Sequence, residues 1–199
     1  IAPGVVDMMV AGSPVNKDGT ATVTFTLNET PASAPVVKLA TGESLTMAGE
    51  PKDNKYTFTY KPTENESQDA AGVAVTVDLV DGAGNEKNGI ALGAIVFDFI
   101  DPALAGAPVV TPAVARTGNT VTVAFTASEE LKSLPVVKAG AKELTGKGVG
   151  NAYEFGYTVA PEDGNGERVV TITLEDAAGN TLVEAPGGSF TVDSTVPQI

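Results

Sequence analysis

The stretches LVDGAGN at residues 79–85 and LEDAAGN at residues 174–180 carry almost the same phrase at an offset of 95 residues. In each, a hydrophobic run ends in Asp, and Gly and Asn follow within a few residues. Asp bonds to backbone amides further along the loop, Gly adopts positive φ, and Asn tolerates the left-handed region, so the phrase predicts a turn. Its recurrence indicates an internal duplication.

Other segments of the sequence repeat in the same order. Pro-Val-Val-Lys at residues 35–38 returns at residues 135–138, and Tyr-x-Phe-x-Tyr at residues 56–60 returns at residues 153–157. The offset drifts only slightly, as short loop deletions would cause. Two homologous domains are therefore predicted, residues 1–102 and residues 103–199.

Within each unit, apolar and polar residues alternate. Val23, Phe25 and Leu27 fall on one face of their segment and threonines fall on the other, which is typical of half-buried antiparallel strands. Strands in the first unit are predicted at roughly residues 4–10, 20–28, 35–40, 44–48, 55–61, 72–80 and 94–99. This spacing predicts an all-β fold of two tandem immunoglobulin-like Greek-key β-sandwiches, with about seven strands in each.

The composition excludes several classes of function. A net charge of −13 repels nucleic acid and anionic lipid, so neither is an expected partner. The sequence has no His, Cys or Trp, which excludes disulfides and thiolate metal sites. It also has no apolar run of about 18 residues, so no direct membrane insertion is predicted. Without a His base, a Cys nucleophile or a GxSxG motif, we predict that the chain is not an enzyme.

Three motifs of the second unit occur in a characteristic order: TASEE at 126–130, EDAAGN at 175–180 and TVDSTVP at 191–197. This order resembles tandem bacterial Ig-like repeats of surface adhesins and other cell-envelope proteins. The first unit departs from it by ending in FDFIDP at 97–102. The resemblance implies an extracellular, cell-surface module, although such motifs identify a fold better than a function.

Acidic residues are predicted to collect where the two domains adjoin. In a seven-strand sandwich, strands two and six end at the same end of the domain and strand seven ends at the other. Carboxylate and amide oxygens, without nitrogen or sulfur ligands, suit Ca²⁺. We predict a junctional Ca²⁺ that stiffens the pair, similar to calcium-dependent adhesion repeats, bound by Asp98, Asp101, Glu129, Asp176 and Asn180. The alternative is a solvated acidic surface in which Asp-x-Ala-Gly-Asn is a turn alone.

Two further motifs resemble ligand sites in part. Asp163-Gly-Asn165-Gly-Glu167 matches the start of an EF-hand loop, but its later ligand position and the flanking helices are missing, so a hairpin turn is predicted. Gly146-Lys-Gly148-Val-Gly150 is glycine-rich, yet it opens no helix, so phosphate binding is not predicted.

Three functions remain open at this stage. The first is a spacer in the stalk of an adhesin, with neighbouring Ig-like repeats or another surface protein as its partners. The second is a self-assembling subunit of an S-layer or filament, in which exposed edges and the apolar stretch at residues 1–10 pair with another copy. The third is a head that binds glycan or protein through the aromatic triplets. That apolar stretch is more simply the opening strand of the first domain, and the triplets are more simply core.

Overall fold

The computed structural model describes residues 3–198 of the chain. Residues 1 and 2, which begin the apolar opening stretch, and residue 199 lie outside the described residues. The chain divides between Phe99 and Ile100 into two compact units, slightly before the boundary placed after residue 102 by the repeat. Each unit has a hydrophobic core of its own.

The first unit is a sandwich of two antiparallel sheets. Its seven strands are β1 (Val5–Ala11), β2 (Ala21–Leu27), β3 (Val36–Leu39), β4 (Thr46–Met47), β5 (Lys55–Tyr60), β6 (Val73–Val80) and β7 (Glu86–Ile95). One sheet has the order β1-β2-β5-β4 and the other β3-β6-β7. The chain changes sheet between β2 and β3, β3 and β4, and β5 and β6, as in a Greek key.

The second unit repeats the two-sheet arrangement with nine described strands in place of seven. Its strands are β8 (Val109–Thr111), β9 (Val114–Ala115), β10 (Thr120–Thr126), β11 (Val136–Ala139), β12 (Lys142–Glu143), β13 (Thr145–Val149), β14 (Ala152–Thr158), β15 (Gly166–Glu175) and β16 (Thr181–Val192). The sheets have the orders β13-β14-β10-β8 and β12-β11-β15-β16-β9. The helical structure described is one short 3-10 turn, Pro161–Asp163, and the described part of the chain has no helix that could span a membrane.

Alternating side chains from both sheets fill the core of each unit. Along β2 every second residue is buried, and the ring of Phe25 stacks on those of Tyr56 and Phe58 with centroids 5.7 and 5.8 Å apart. In the second unit, Phe125 stacks on Tyr153 and Phe155 in the same way. The predicted all-β sandwich is confirmed, and the aromatic triplets are core residues apart from the partly exposed Tyr157.

The predicted position of the seventh strand was wrong. It was placed at residues 94–99, whereas β7 runs from Glu86 to Ile95 and follows the turn after β6 directly. The pairing of β6 with β7 shifts register between Val75 and Thr76 and again between Val77 and Leu79. Each shift interrupts the alternation of apolar and polar residues along β7. The period of two therefore did not reveal this strand in the sequence.

One of these bulges is present in both units. In the first unit, the N–H of Gly89 donates to Asp78 Oδ1 at 2.8 Å, and Gly89 has a φ of 68°. In the second, the N–H of Glu184 donates to Thr173 Oγ1 at 3.1 Å, with a φ of 50°. A side chain thus replaces the ladder carbonyl at the same place in each repeat, and the bulge bends the strand there.

Candidate functional site

The Asp-x-Ala-Gly-Asn loop of the first unit is a closed turn between β6 and β7. Oδ1 of Asp81 accepts the N–H groups of Ala83 at 2.9 Å and Asn85 at 2.8 Å, and Oδ2 accepts the Asn85 side-chain amide at 2.6 Å. Gly84 has a φ of 82°, where a side chain would be strained. The hydrogen bonds from the side chain and backbone of Asn85 hold the pKa of Asp81 below its ordinary value.

The loop of the second unit closes in a similar way around a more deeply buried carboxylate. Asp176 is 0% exposed. Its Oδ1 accepts the N–H groups of Gly179 at 2.7 Å and Asn180 at 2.9 Å, while Oδ2 accepts the Asn180 side-chain amide at 2.8 Å. The turn predicted from the sequence is therefore confirmed in both repeats, because each carboxylate satisfies the amides of its own loop.

Three of the predicted calcium ligands lie in one region of the second unit. Glu129 follows β10 and Asp176 follows β15, and each offers a carboxylate oxygen within 4.8 Å of the other. Asn180 closes the same turn through its bonds to Asp176. The strand-direction argument placed the ends of the second and sixth strands at one end of the domain, and these distances confirm that placement within this unit.

The other two predicted ligands lie on either side of the division between the units. Asp98 follows β7 in the first unit, is half-buried, and donates its backbone N–H to the carbonyl of Val15 at 3.1 Å. Asp101 is exposed in the segment that opens the second unit. Calcium binding by these five residues stays a prediction.

A tyrosine-carboxylate pair closes one loop in each unit, and sequence reasoning missed both. The hydroxyl of Tyr60 donates to Glu66 Oε1 at 2.6 Å, and that oxygen also accepts the Thr63 N–H at 2.9 Å. In the second unit, the hydroxyl of Tyr157 donates to Asp163 Oδ2, which also accepts the Ala160 N–H at 2.6 Å. The signal in the sequence was a carboxylate six residues after the last tyrosine of each aromatic triplet.

These contacts shift the pKa values of both partners. Burial, followed by the hydrogen bond to Glu66, raises the pKa of Tyr60 well above its ordinary value, and burial and Asp163 raise that of Tyr157 to about 12. Burial also acts to raise the pKa of Glu66, but the bonds from Tyr60 and Thr63 outweigh it and hold that pKa below its ordinary value. The Tyr157 hydroxyl lowers the pKa of Asp163 in the same way.

Acid is expected to weaken both tyrosine-carboxylate pairs. Because the folded-state pKa values of Glu66 and Asp163 are lowered, each ionised group stabilises the fold at pH values above its unfolded pKa. This contribution is lost as the pH falls through the folded pKa. Urea unfolding at stepped pH should show that Tyr60→Phe and Tyr157→Phe cost stability at neutral pH and progressively less in acid. Tyr56→Phe, whose ring packs on Phe25, is the control, and an equal cost at every pH would contradict the expectation.

A shallow groove of about 530 Å³ lies on the second unit over the sheet β13-β14-β10-β8. Small and aliphatic residues, among them Ala124, Val109 and Val149, form much of its lining. On its rim, Lys147 Nζ and Glu154 Oε1 form an exposed ion pair at 3.7 Å. The groove is therefore a mainly apolar surface without the converging polar groups that are typical of a ligand pocket.

The glycines beside this groove are explained by aromatic packing. Gly146 and Gly148 of β13 pair with Phe155 and Tyr153 of β14. A Cβ atom at either glycine would come within 2.5 Å of the facing ring. The glycine-rich segment therefore leaves room for core aromatic side chains, which agrees with the expectation that it is not a phosphate-binding loop.

Comparison with known proteins identifies the class of fold. No protein-family model matches the sequence, and no curated protein sequence matches it either. The chain is similar to the I-band fragment I67-I69 from titin, at 12% identity and a TM-score of 0.56, over 98% of this chain and 66% of that fragment. Each of the two units has an immunoglobulin-like fold. The chain thus spans slightly less than two thirds of the fragment's length.

Two bacterial structures are also similar to the tandem immunoglobulin-like chain. The fibronectin(III)-like modules of Clostridium thermocellum CbhA match at 14% identity and a TM-score of 0.47, with 94% of each chain covered. A 1.5-MDa bacterial ice-binding adhesin matches at 17% identity and a TM-score of 0.44, over 97% of this chain and 65% of that structure. At these identities the likeness concerns the fold alone.

Most free sheet edges of the two immunoglobulin-like domains are short or bulged. Edge strands β4 and β12 have two residues each, and edge strand β7 carries the bulge at Gly89. The pairing of edge strand β1 shifts register between Val5 and Asp7. Such features oppose strand addition by another chain. Edge strand β1 nevertheless leaves Val6, Met8 and Met9 between 52% and 64% exposed, so it is the apolar edge most open to a partner.

Proposed function

We propose that the chain is a non-catalytic spacer of a cell-surface protein, two links that hold other parts of a longer polypeptide or assembly apart. The observation that carries this proposal is the duplication itself: the two domains repeat one architecture, with the same turn and the same bulge, around separate cores. A spacer needs copies that fold independently, whereas a binding site or a catalytic site is usually present once.

The pairing of the terminal strands supports a role under tension. In the first domain, Val15 bonds in parallel to the segment that follows β7: its N–H donates to Val96 O at 3.0 Å and its carbonyl accepts the Asp98 N–H at 3.1 Å. In the second domain, β9 pairs in parallel with the end of β16. When the two ends of such a domain are pulled apart, these parallel hydrogen bonds bear the force together and do not break one after another. This arrangement fits a spacer that is under tension.

An extracellular location is part of the proposal. The chain is acidic and free of Cys, and its motifs resemble those of surface repeats. Acidic surfaces keep a protein soluble and repel anionic lipid and nucleic acid. The expected neighbours are further immunoglobulin-like repeats or another surface protein.

The state of the chain in solution tests the spacer proposal. We expect a single monomeric species over a wide concentration range in sedimentation velocity and light scattering, since most sheet edges oppose strand addition. The competing function is a self-assembling subunit, which the exposed side chains of β1 favour. Self-assembly through β1 predicts association that grows with concentration and is abolished by Met8→Lys. Thr57→Lys, which adds the same charge to strand β5 of the same sheet, is the matched control. Association lost only in Met8→Lys would contradict the monomeric spacer.

We also propose that Asp98, Asp101, Glu129, Asp176 and Asn180 bind Ca²⁺ and that this binding stiffens the spacer. The support is that carboxylate oxygens of Glu129 and Asp176 lie within 4.8 Å of each other and that the chain has a net charge of −13. The Asp176 oxygens already accept three N–H donors. Calcium would therefore have to bind while these hydrogen bonds stay in place. It would use the remaining lone pairs of the Asp176 oxygens and the other carboxylates.

Thermal unfolding in Ca²⁺ and in EDTA tests the calcium proposal. A cation that binds only the folded form stabilises it by about 2.7 kcal/mol at a hundred times its Kd, so the melting temperature should rise with calcium concentration. Glu129→Gln should remove most of that rise, because it deletes a ligand charge and leaves the Asp176 carboxylate in the sequence. Glu143→Gln, on the exposed strand β12, is the control. An equal rise in both variants, or none in the wild type, would rule out binding at Glu129.

A further inference from the structure

The chain contains two Asn-Gly pairs, Asn88-Gly89 and Asn165-Gly166. In such a pair, the backbone nitrogen of glycine is able to attack the side-chain carbonyl carbon of asparagine, since glycine has no Cβ to hinder the approach. The attack requires that the asparagine side chain is free to rotate over that nitrogen and that the backbone there can adjust. The two pairs differ in both respects.

The pair in the second domain is held in place. Asn165 Oδ1 accepts the N–H of Ser194 at 2.9 Å, and its Nδ2 donates to Thr195 Oγ1 at 2.6 Å. Gly166 begins β15 and pairs with Val192. Both ends of the Asn165 amide are therefore bound to the segment after β16, and rotation of this side chain breaks two hydrogen bonds.

The pair in the first domain lies in the bulge of β7. Asn88 is exposed, and among the described residues its side chain makes one hydrogen bond, from Nδ2 to Glu86 Oε2, which is long at 3.4 Å. Ladder pairing passes from Lys87 to Ile90, so Asn88 and Gly89 have no partner in the β6-β7 register. The N–H of Gly89 points instead at a carboxylate oxygen of Asp78, at 2.8 Å.

We propose that Asn88 is a self-modification site, at which the exposed amide is converted into aspartate or isoaspartate with Asp78 as the proton acceptor. The Gly89 nitrogen gives its proton to Asp78 and bonds to Cγ of Asn88, and the tetrahedral intermediate expels the side-chain nitrogen. That nitrogen leaves as ammonia after taking the proton back from Asp78. Water then opens the resulting succinimide at either carbonyl, so the product is aspartate or isoaspartate and no oxidant or cofactor is needed.

The modification distinguishes the two otherwise equivalent domains. At the same bulge, the second domain has Val183 and Glu184 in place of Asn88 and Gly89, so it has no amide to lose there. Conversion of Asn88 adds a negative charge beside Glu86 and Asp78. The isoaspartate product also lengthens the main chain of edge strand β7 by one methylene at its bulge.

Peptide mapping by mass spectrometry tests the proposal in the intact chain. After incubation in mildly alkaline buffer, we expect the mass gain of amide-to-acid conversion to appear at Asn88 several times faster than at Asn165, in two products with different retention. In concentrated urea the two pairs should convert at similar rates, which would show that the fold creates the difference. Equal rates in the native chain, or faster conversion at Asn165, would overturn the assignment.

Asp78→Asn tests the part given to Asp78, because an amide oxygen still accepts the Gly89 N–H but is a far weaker base. Conversion at Asn88 should slow while conversion at Asn165 is unchanged. A thermal midpoint close to that of the wild type verifies that the variant is folded. A rate at Asn88 that stays the same or rises would exclude Asp78 as the proton acceptor.

Discussion

Phe25→Ala is expected to destabilise the first domain by about 3–5 kcal/mol and to leave the second domain unchanged. Phe25 is 1% exposed, and its ring stacks on Tyr56 and Phe58 from the neighbouring strand. Truncation leaves a cavity between the two sheets of this domain alone, because each domain has a separate core. A loss of this size is a large part of the stability of a small domain.

Differential scanning calorimetry and urea unfolding measure this effect. The wild type should show either two transitions or one composite transition, and Phe25→Ala should move one component to lower temperature and leave the other in place. Phe125→Ala is the matched variant, since Phe125 makes the same stacks in the second domain, and it should move the other component. If either variant shifts the whole transition as one unit, the domains are not independent links and the spacer proposal loses its main support.

Asp176→Ala is expected to destabilise the second domain by about 1–3 kcal/mol, whether or not calcium is present. The substitution removes the acceptor of three N–H donors, from Gly179, Asn180 and the Asn180 side chain. Asp176 is fully buried, so water does not readily replace it, and donors left without a partner there are costly. The turn between β15 and β16 loses the group that organises it.

Urea unfolding in EDTA isolates this structural role from any metal. Asp176→Asn retains an acceptor oxygen of nearly the same shape, so it should cost less than alanine. Asp81→Ala removes the equivalent acceptor in the first domain and should lower the stability of that domain instead. If Asp176→Ala costs stability only when calcium is present, the carboxylate acts mainly as a metal ligand and the turn explanation is insufficient.

The oligomeric state and the calcium response together separate the proposed functions. A monomer with two independent transitions and a calcium-dependent rise is a stiffened spacer. A monomer without that rise is a spacer in which Asp-x-Ala-Gly-Asn acts as a turn alone. In both cases the exposed edge of β1 carries no assembly role.

Much of this architecture was readable from the sequence because it depends on local chemistry. Strand β2 alternates so regularly that its buried face, including Val23 and Phe25, follows from the period of two. The turn at Asp81 and its copy at Asp176 follow from the hydrogen-bonding habits of Asp, Gly and Asn within one short segment. The duplication is visible for the same reason, because the same turn requires the same residues at 79–85 and at 174–180.

The remaining features were decided by contacts between segments that are distant in sequence. The bulge of β7 depends on Asp78 of the neighbouring strand, and it removes the alternation that would have marked that strand. The role of Glu66 is determined by the buried Tyr60, whose hydroxyl donates a hydrogen bond to it. Gly146 and Gly148 are small because rings of β14 lie opposite them. A sequence shows what each side chain is able to do, but only the tertiary structure shows which partner it meets, because packing and cross-strand register select among many compatible contacts.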